Sequence, residues 1–233
     1  TYLREKLGIR LDSYLRDLFD SPLPSDLGAY EYLIRLPCLG YITTNYDHAL
    51  ETAYSKHYRR PLRPLTPFDF PALANAVRRQ PFLVKLHGDS SRGQFVLTES
   101  DYEAITRNVA FERFLYSIFF QHTVVFLGYG LSDHDLLTPL RLLSDDYGAL
   151  TKRHIAILPS TVSPEERRRL EDSYPIDLIT YDVESDGHGF VGRTILEWFV
   201  RTVDHRGAPR LEDSPVDFAE VLHISPHLLT PRM

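Results

Sequence analysis

Apolar and polar positions fall in blocks along the chain rather than alternating residue by residue. Continuous apolar runs at Gly40–Thr43, Phe82–Leu86, Thr123–Leu127, "RHIAILP" and "DLITYDV" are separated by longer stretches with helical spacing. Short apolar runs alternating with helices predict an α/β fold with a mainly parallel sheet flanked by helices. Helices are expected near Leu11–Phe19, Ala29–Leu36, Asp47 to His57, Ala72–Arg79, "ESDYEAITR", Phe111–Gln121 and from about Asp133. Two helix starts carry explicit signals. The Thr98 hydroxyl is placed to cap one. Ser163, Pro164 and Glu166 read as cap, first-turn proline and capping box of "SPEERRRLED". The charges of that helix suit a solvated face with i,i+4 pairs. The proline-rich "RRPLRPLTPFDFP" predicts a loop. The run "FLVKLHGD" predicts one strand, followed by the loop "SSRGQ" and the short strand "FVLT". "GFVGRTILEWFVRTV" predicts a closing helix. Residues 1–203 then form the folded domain, and 204–233, polar and dotted with proline, a linker or partner-contacting tail.

Three of the apolar runs end in clusters of polar residues, and these clusters are the most informative feature of the chain. "TTNYD" follows Gly40–Ile42, "HGD" follows Phe82–Leu86, and "GYGLSDHD" follows Thr123–Leu127. In open parallel sheets, ligands bind at the carboxyl edge of the strands. Each cluster also has a plainer reading. Asn45 and Asp47 suit an Asx-turn or a helix cap, His87 a satisfied histidine, and Gly128 and Gly130 turn positions. The two glycines do not complete a dinucleotide fingerprint.

The composition narrows the classes. The chain has 233 residues, 43% of them hydrophobic, enough for a sizeable core. A net charge of −6 and a pI near 5.9 do not suggest a generic nucleic-acid binder or a membrane-surface protein. Cys38 is the single cysteine, so neither an intrachain disulfide nor a cysteine zinc module is expected. A reducing, cytoplasmic location is expected. No apolar run approaches the roughly 20 residues of a membrane span, and no signal peptide is visible. The chain opens on Thr1 within a helical pattern, so a preceding segment is expected.

"TTNYD", "KLHGD", "VLTESDY", "VVFLGYGLSDHD" and the late "YDVESDGHGFV", in this order, resemble the sirtuin-like domain of prokaryotic NAD-consuming defence effectors. The resemblance runs from about Leu39 to Val200. It implies a Rossmann-like fold with a small helical insertion, and NAD as substrate. It implies that Asn45 positions water and the nicotinamide ribose and that His87 is the acid/base partner. Asp47 would orient the ribose region, with Thr43, Thr44 and Gly88 beside it. Gly128 and Ser132 would lie near the phosphates and adenine ribose, Asp133 either there or capping the next helix, and His188 along the nucleotide pocket. The chemistry suits these residue types. Nicotinamide leaves through an oxocarbenium-like state, and its cationic form needs no strong acid to expel it. An amide accepts from water while donating to a ribose hydroxyl, and a histidine near neutral pKa takes up the proton.

The sequence also departs from that pattern. Classical sirtuin deacetylases carry four zinc cysteines, and their absence makes water rather than acetyl-lysine the expected acceptor. The Gly-Ala-Gly type loop that cradles pyrophosphate at a helix N-terminus has no counterpart before Thr43, where Gly8, Gly28 and Gly40 stand alone. That segment is expected either upstream of Thr1 or lost, and its loss would leave a silent domain. The expectation is therefore an NAD glycohydrolase that depletes NAD in anti-phage defence. It would be a homo-oligomer or would work with an ATPase, Argonaute-type or sensor partner. The alternatives are a silent nucleotide-binding or oligomer-forming scaffold and an NAD-dependent deacylase. No metal is expected: the acids and histidines of "SDHDL" and "SDGHG" are better explained by capping and ribose contact.

Overall fold

A computed structural model describes residues 6, 8–19, 27–69, 72–78, 81–131, 134–148, 151, 154–181 and 183. The closing helix, the tail after Asp204, and Ser132, Asp133 and His188 fall outside the described residues. Chain contacts divide the described residues into two units, one up to Phe114 and one from Leu115 onward.

The first unit contains α1 (Ile9–Phe19), α2 (Ala29–Leu33), β1 (Gly40–Thr43), α3 (Ala49–Tyr58), β2 (Pro64–Leu65), a 3-10 turn (Ala72–Arg78) and β3 (Phe82–Lys85). β4 (Gly88–Asp89), a second 3-10 turn (Ser90–Arg92), β5 (Gln94–Phe95) and α4 (Glu99–Thr106) come next. β3 is the central strand of a parallel sheet of order β1-β3-β2, and every residue of it is buried. This explains its unbroken apolar run, because a strand covered on both faces has no solvent side to mark. Leu83 packs with Ile34, Tyr41, Leu50, Ala53, Tyr54 and Leu62, so α3 is held against the sheet by the core. Helix α5 (Val109–Gln121) runs across the boundary between the units.

The second unit contains β6 (Val125–Leu127), α6 (His134–Tyr147), β7 (His154–Pro159), α7 (Pro164–Ser173) and β8 (Ile176–Tyr181). Its parallel sheet has the order β6-β7-β8, with β7 central. Both units bear out the α/β reading with parallel strands flanked by helices.

Four local departures from the sequence reading have physical causes. Pro64–Leu65 in the proline-rich loop pairs parallel with Leu83–Val84; at a sheet edge, a missing N–H costs a strand little. Helix α2 stops at Leu33, and its last turn tightens through Arg35 N–H to Tyr32 O and Leu36 N–H to Leu33 O just before Pro37. In α7, Ser163 Oγ accepts from the Glu166 N–H, but the Glu166 carboxylate turns to Arg169 at 2.6 and 2.8 Å instead of closing the capping box. The true capping box lies at α4, between Thr98 and Asp101.

The fourth departure bears on the site. "FLVKLHGD" is not one strand. The chain turns at Leu86-His87 and re-pairs antiparallel, Gly88 with Phe95 and Asp89 with Gln94. Gly88 has φ +104°, and a Cβ there would run into the Gln94 carbonyl. Gly88→Ala is therefore expected to lose about 1–3 kcal/mol from backbone strain, with the clash adding to it. A urea unfolding midpoint unchanged from wild type would contradict this.

Candidate functional site

The register of β1 with β3 pairs Thr43 with Lys85. Asn45 and His87 each lie two residues past that pair, on neighbouring strands that exit at the same carboxyl edge. Adjacent strands are about 4.8 Å apart, so the topology alone brings "TTNYD" and "HGD" side by side.

Asn45 is exposed and fixed at two points. Its N–H donates to Thr43 Oγ1 at 3.1 Å, and its Nδ2 donates to the Tyr30 hydroxyl at 3.0 Å. With the amide nitrogen engaged, Oδ1 is left as the acceptor for a ligand or water. Burial raises the pKa of Tyr30 and the Asp47 carboxylate raises it further, against the bond from Asn45, so the phenol keeps its proton at neutral pH. Asp47 Oδ1 accepts from the Ala49 N–H at 2.9 Å. This is the Asx-turn the sequence offered as the plainer reading, and it starts α3.

His87 is half-buried and aromatic-walled. Its ring meets Tyr102 edge-on at 5.3 Å between centroids, and Tyr46 stands at 6.5 Å. Tyr46 is itself packed against Phe95 and against Phe19 of α1, and its hydroxyl donates to Val96 O at 2.7 Å. The side chain between Asn45 and Asp47 is thus an anchor that fixes the turn while Asn45 stays exposed.

Beneath these loops lies a buried polar cluster. Lys85 is fully buried on β3. Its Nζ lies 2.6 Å from Glu51 Oε1, 2.7 Å from Asp47 O, 3.3 Å from Tyr46 O, 3.4 Å from His48 Nδ1 and 3.6 Å from Asp89 Oδ2. His48, Glu51 and Asp89 lie close enough together to hold a metal ion. The Lys85 ammonium already stands among them as the cation. Asp89 is buried, and its Oδ1 accepts from the Ser91 N–H and hydroxyl at 2.9 and 2.7 Å, so this acid of "HGD" serves the interior. His48 Nε2 is 3.1 Å from Ser90 Oγ and Nδ1 is 3.2 Å from Glu51 Oε1, the order of a serine–histidine–acid relay. Ser90, however, is fully buried and its Oγ lies 2.9 Å from the Tyr46 carbonyl, so it braces the loop and faces no substrate.

The next loop is tied from outside. Arg92 grips both oxygens of Asp69 at 2.6 and 2.7 Å. Asp69 also accepts from the Thr66 N–H and hydroxyl, and the Arg92 hydrogen bond, ahead of these, lowers its pKa. A carboxylate with a depressed folded pKa stabilises above its unfolded value near 4, and that contribution is lost as pH falls through the folded value. The pair is partly exposed, so the loss is expected to stay within about 1 kcal/mol. Asp69→Asn is expected to abolish this acid-side slope in the stability–pH profile; an identical slope would contradict it.

In the second unit, Gly128 directly follows β6 at φ +63°, with open space among the described residues where a Cβ would stand, and Leu131 adopts φ +52° although it is fully buried. A buried leucine held in the left-handed region marks a turn fixed by its surroundings. Gly128 thus makes a left-handed turn at a strand's carboxyl end, a backbone conformation that favours glycine.

Sequence reasoning found the two loops but missed the cluster under them. Tyr30, His48, Glu51 and Ser90 carry no motif that marks them, and Lys85 stands in "KLHGD" with no role read for it. One signal was available: a lysine inside "FLVKL", a run apolar enough to be buried on both faces, needs a partner for its charge.

These features define an α/β domain whose parallel strands carry polar loops at their carboxyl ends, with an asparagine and a histidine on adjacent exits. The chain belongs to the SIR2-like domain family, whose model matches residues 40–179. That family consists of NAD-consuming enzymes. The chain is also 32% identical over 143 residues to defense-associated sirtuin 2 of Bacillus subtilis. The match covers 58% of this chain and 14% of that protein, so the chain spans a small part of its relative's length. Among the described residues, no helix is long and apolar enough to cross a membrane.

Proposed function

We propose that the chain hydrolyses NAD to nicotinamide and ADP-ribose at the exits of β1 and β3. The observation that carries this reading is the pairing of Thr43 with Lys85, because it sets Asn45 and His87 on adjacent strand ends within a SIR2-like domain. In the proposed step, the bond between ribose C1′ and the nicotinamide nitrogen breaks, and its electron pair leaves with nicotinamide. A water oxygen bonds to C1′, and the water's extra proton passes to His87 or to solvent. Asn45 Oδ1 accepts a hydrogen bond from that water, with the amide held in place by Tyr30. Thr43, Thr44, Asp47 and Gly88 surround the ribose end.

The name of the Bacillus relative supports a role in defence. In this reading the chain is an effector that depletes NAD during phage infection. It would act as an oligomer or with an ATPase, Argonaute-type or sensor partner.

The test is product analysis with the full chain, NAD and ¹⁸O-water, without acylated peptide. Nicotinamide and labelled ADP-ribose support the reading. Nicotinamide release only when acetyl-peptide is added would favour a deacylase. NAD binding without release would favour a nucleotide-binding scaffold.

A further inference from the structure

We propose that Lys85 is a positioning residue that holds the catalytic turn through main-chain carbonyls, an inference that rests on the NAD-cleavage reading for its kinetic consequence. Lys85 is the β3 residue paired with Thr43, and its side chain reaches under β1's exit to the carbonyls of Tyr46 and Asp47. The Tyr46 carbonyl also accepts from the Ser90 N–H at 3.3 Å and lies 2.9 Å from Ser90 Oγ. One carbonyl between Asn45 and Asp47 is thereby bolted to the segment after His87. Lys85 sends a second tie the same way, toward Asp89, and a third to Glu51 in the first turn of α3.

The arrangement has a physical rationale. A turn between strand and helix leaves carbonyls without ladder partners, and when buried these need donors. An ammonium offers three donors in a compact group. Glu51 and Asp89 balance its charge so that it can sit in the interior. The Asn45 backbone is then set from below by Lys85 and its side chain from the side by Tyr30. A small displacement of a positioned group is enough to lower catalysis strongly.

A lone Lys85 variant would strand two buried carboxylates, so the test uses charge-balanced replacements. Lys85→Met with Glu51→Gln removes one charge of each sign. Lys85→Met, Glu51→Gln and Asp89→Asn together form the fallback if the first fails to fold, since asparagine retains the cap on Ser91. The measurement is amide hydrogen exchange at Asn45, Ala49 and Ser90 in the full chain, beside kcat and KM for NAD. With the unfolding midpoint preserved, exchange at these amides is expected to rise at least tenfold, and kcat to fall at least tenfold at a KM within twofold of wild type. Wild-type exchange at all three amides, or wild-type kcat in a folded variant, would overturn the proposal. If the wild-type protein releases no nicotinamide, the NAD reading fails by itself, and exchange at the three amides still decides whether Lys85 holds the turn.

Discussion

Replacing Asn45 or His87 by alanine is expected to lower nicotinamide release by about two to four orders of magnitude, with a much smaller change in KM. The histidine sets the upper part of that range, because a positioned acid/base group is worth roughly 10²–10⁴ in rate. The asparagine sets the lower part, since deleting one group aimed at developing charge or at the nucleophile costs roughly 10²–10³. The two substitutions should differ in their effect on the fold. Asn45 is exposed, and alanine there removes the side-chain bond to Tyr30 while the backbone N–H can still donate to Thr43 Oγ1. His87 packs edge-on against Tyr102, so alanine there also leaves a gap in an aromatic wall. Circular dichroism and an unfolding midpoint must therefore accompany the rates. Tyr30→Phe provides the graded comparison: the ring stays, the Asn45 amide loses its anchor, and an intermediate fall in kcat is expected.

Lys85→Met alone is expected to be the most destabilising single substitution at the site, by about 3–5 kcal/mol. Lys85 and Asp89 are fully buried, and Glu51 is largely so. Removing the ammonium takes the cation from two carboxylates in a region where water cannot screen them, leaving Glu51 to His48 and Asp89 to the Ser91 donors. Among the described residues, the Glu51 Oε2 and Asp89 Oδ2 atoms already lack hydrogen-bond partners, which leaves little slack. Exposed pairs behave differently. Lys56–Glu31 on the surface, at 2.8 Å, should contribute no more than about 1 kcal/mol and weaken with salt. A denaturant midpoint for Lys85→Met as mild as that of Lys56→Met would contradict the burial argument.

The elements of the fold were largely legible, and so was the carboxyl edge at which β1 and β3 release their polar loops. β1 and β7 read correctly because both are short continuous apolar runs between helical stretches. Thr98 and Ser163 read correctly because capping is local chemistry. Failures came where tertiary geometry overrides local pattern. "FLVKLHGD" looks like one strand because nothing in its composition shows that Gly88 bends to pair with Phe95. Glu166 has the right spacing for a capping box, yet Arg169 competes for its carboxylate. Asp89 has the residue type of a ligand contact, but it caps a 3-10 turn in the interior. The ion cluster was illegible for a deeper reason. His48 and Glu51 meet locally at the start of α3, as Lys85 and Asp89 do at the end of β3, but only the pairing of β3 with β1 and the packing of α3 bring the two halves together.

The measurement that tests the central claim most directly is nicotinamide release from NAD by the full-length protein, by Asn45→Ala, by His87→Ala and by the double variant. Residues that serve one reacting centre are not additive. The account predicts turnover in wild type, loss in each single variant, and a double variant no worse than the poorer single one. Wild-type turnover in both folded single variants would contradict it, and the strand exits of β1 and β3 would then not be where NAD is cleaved.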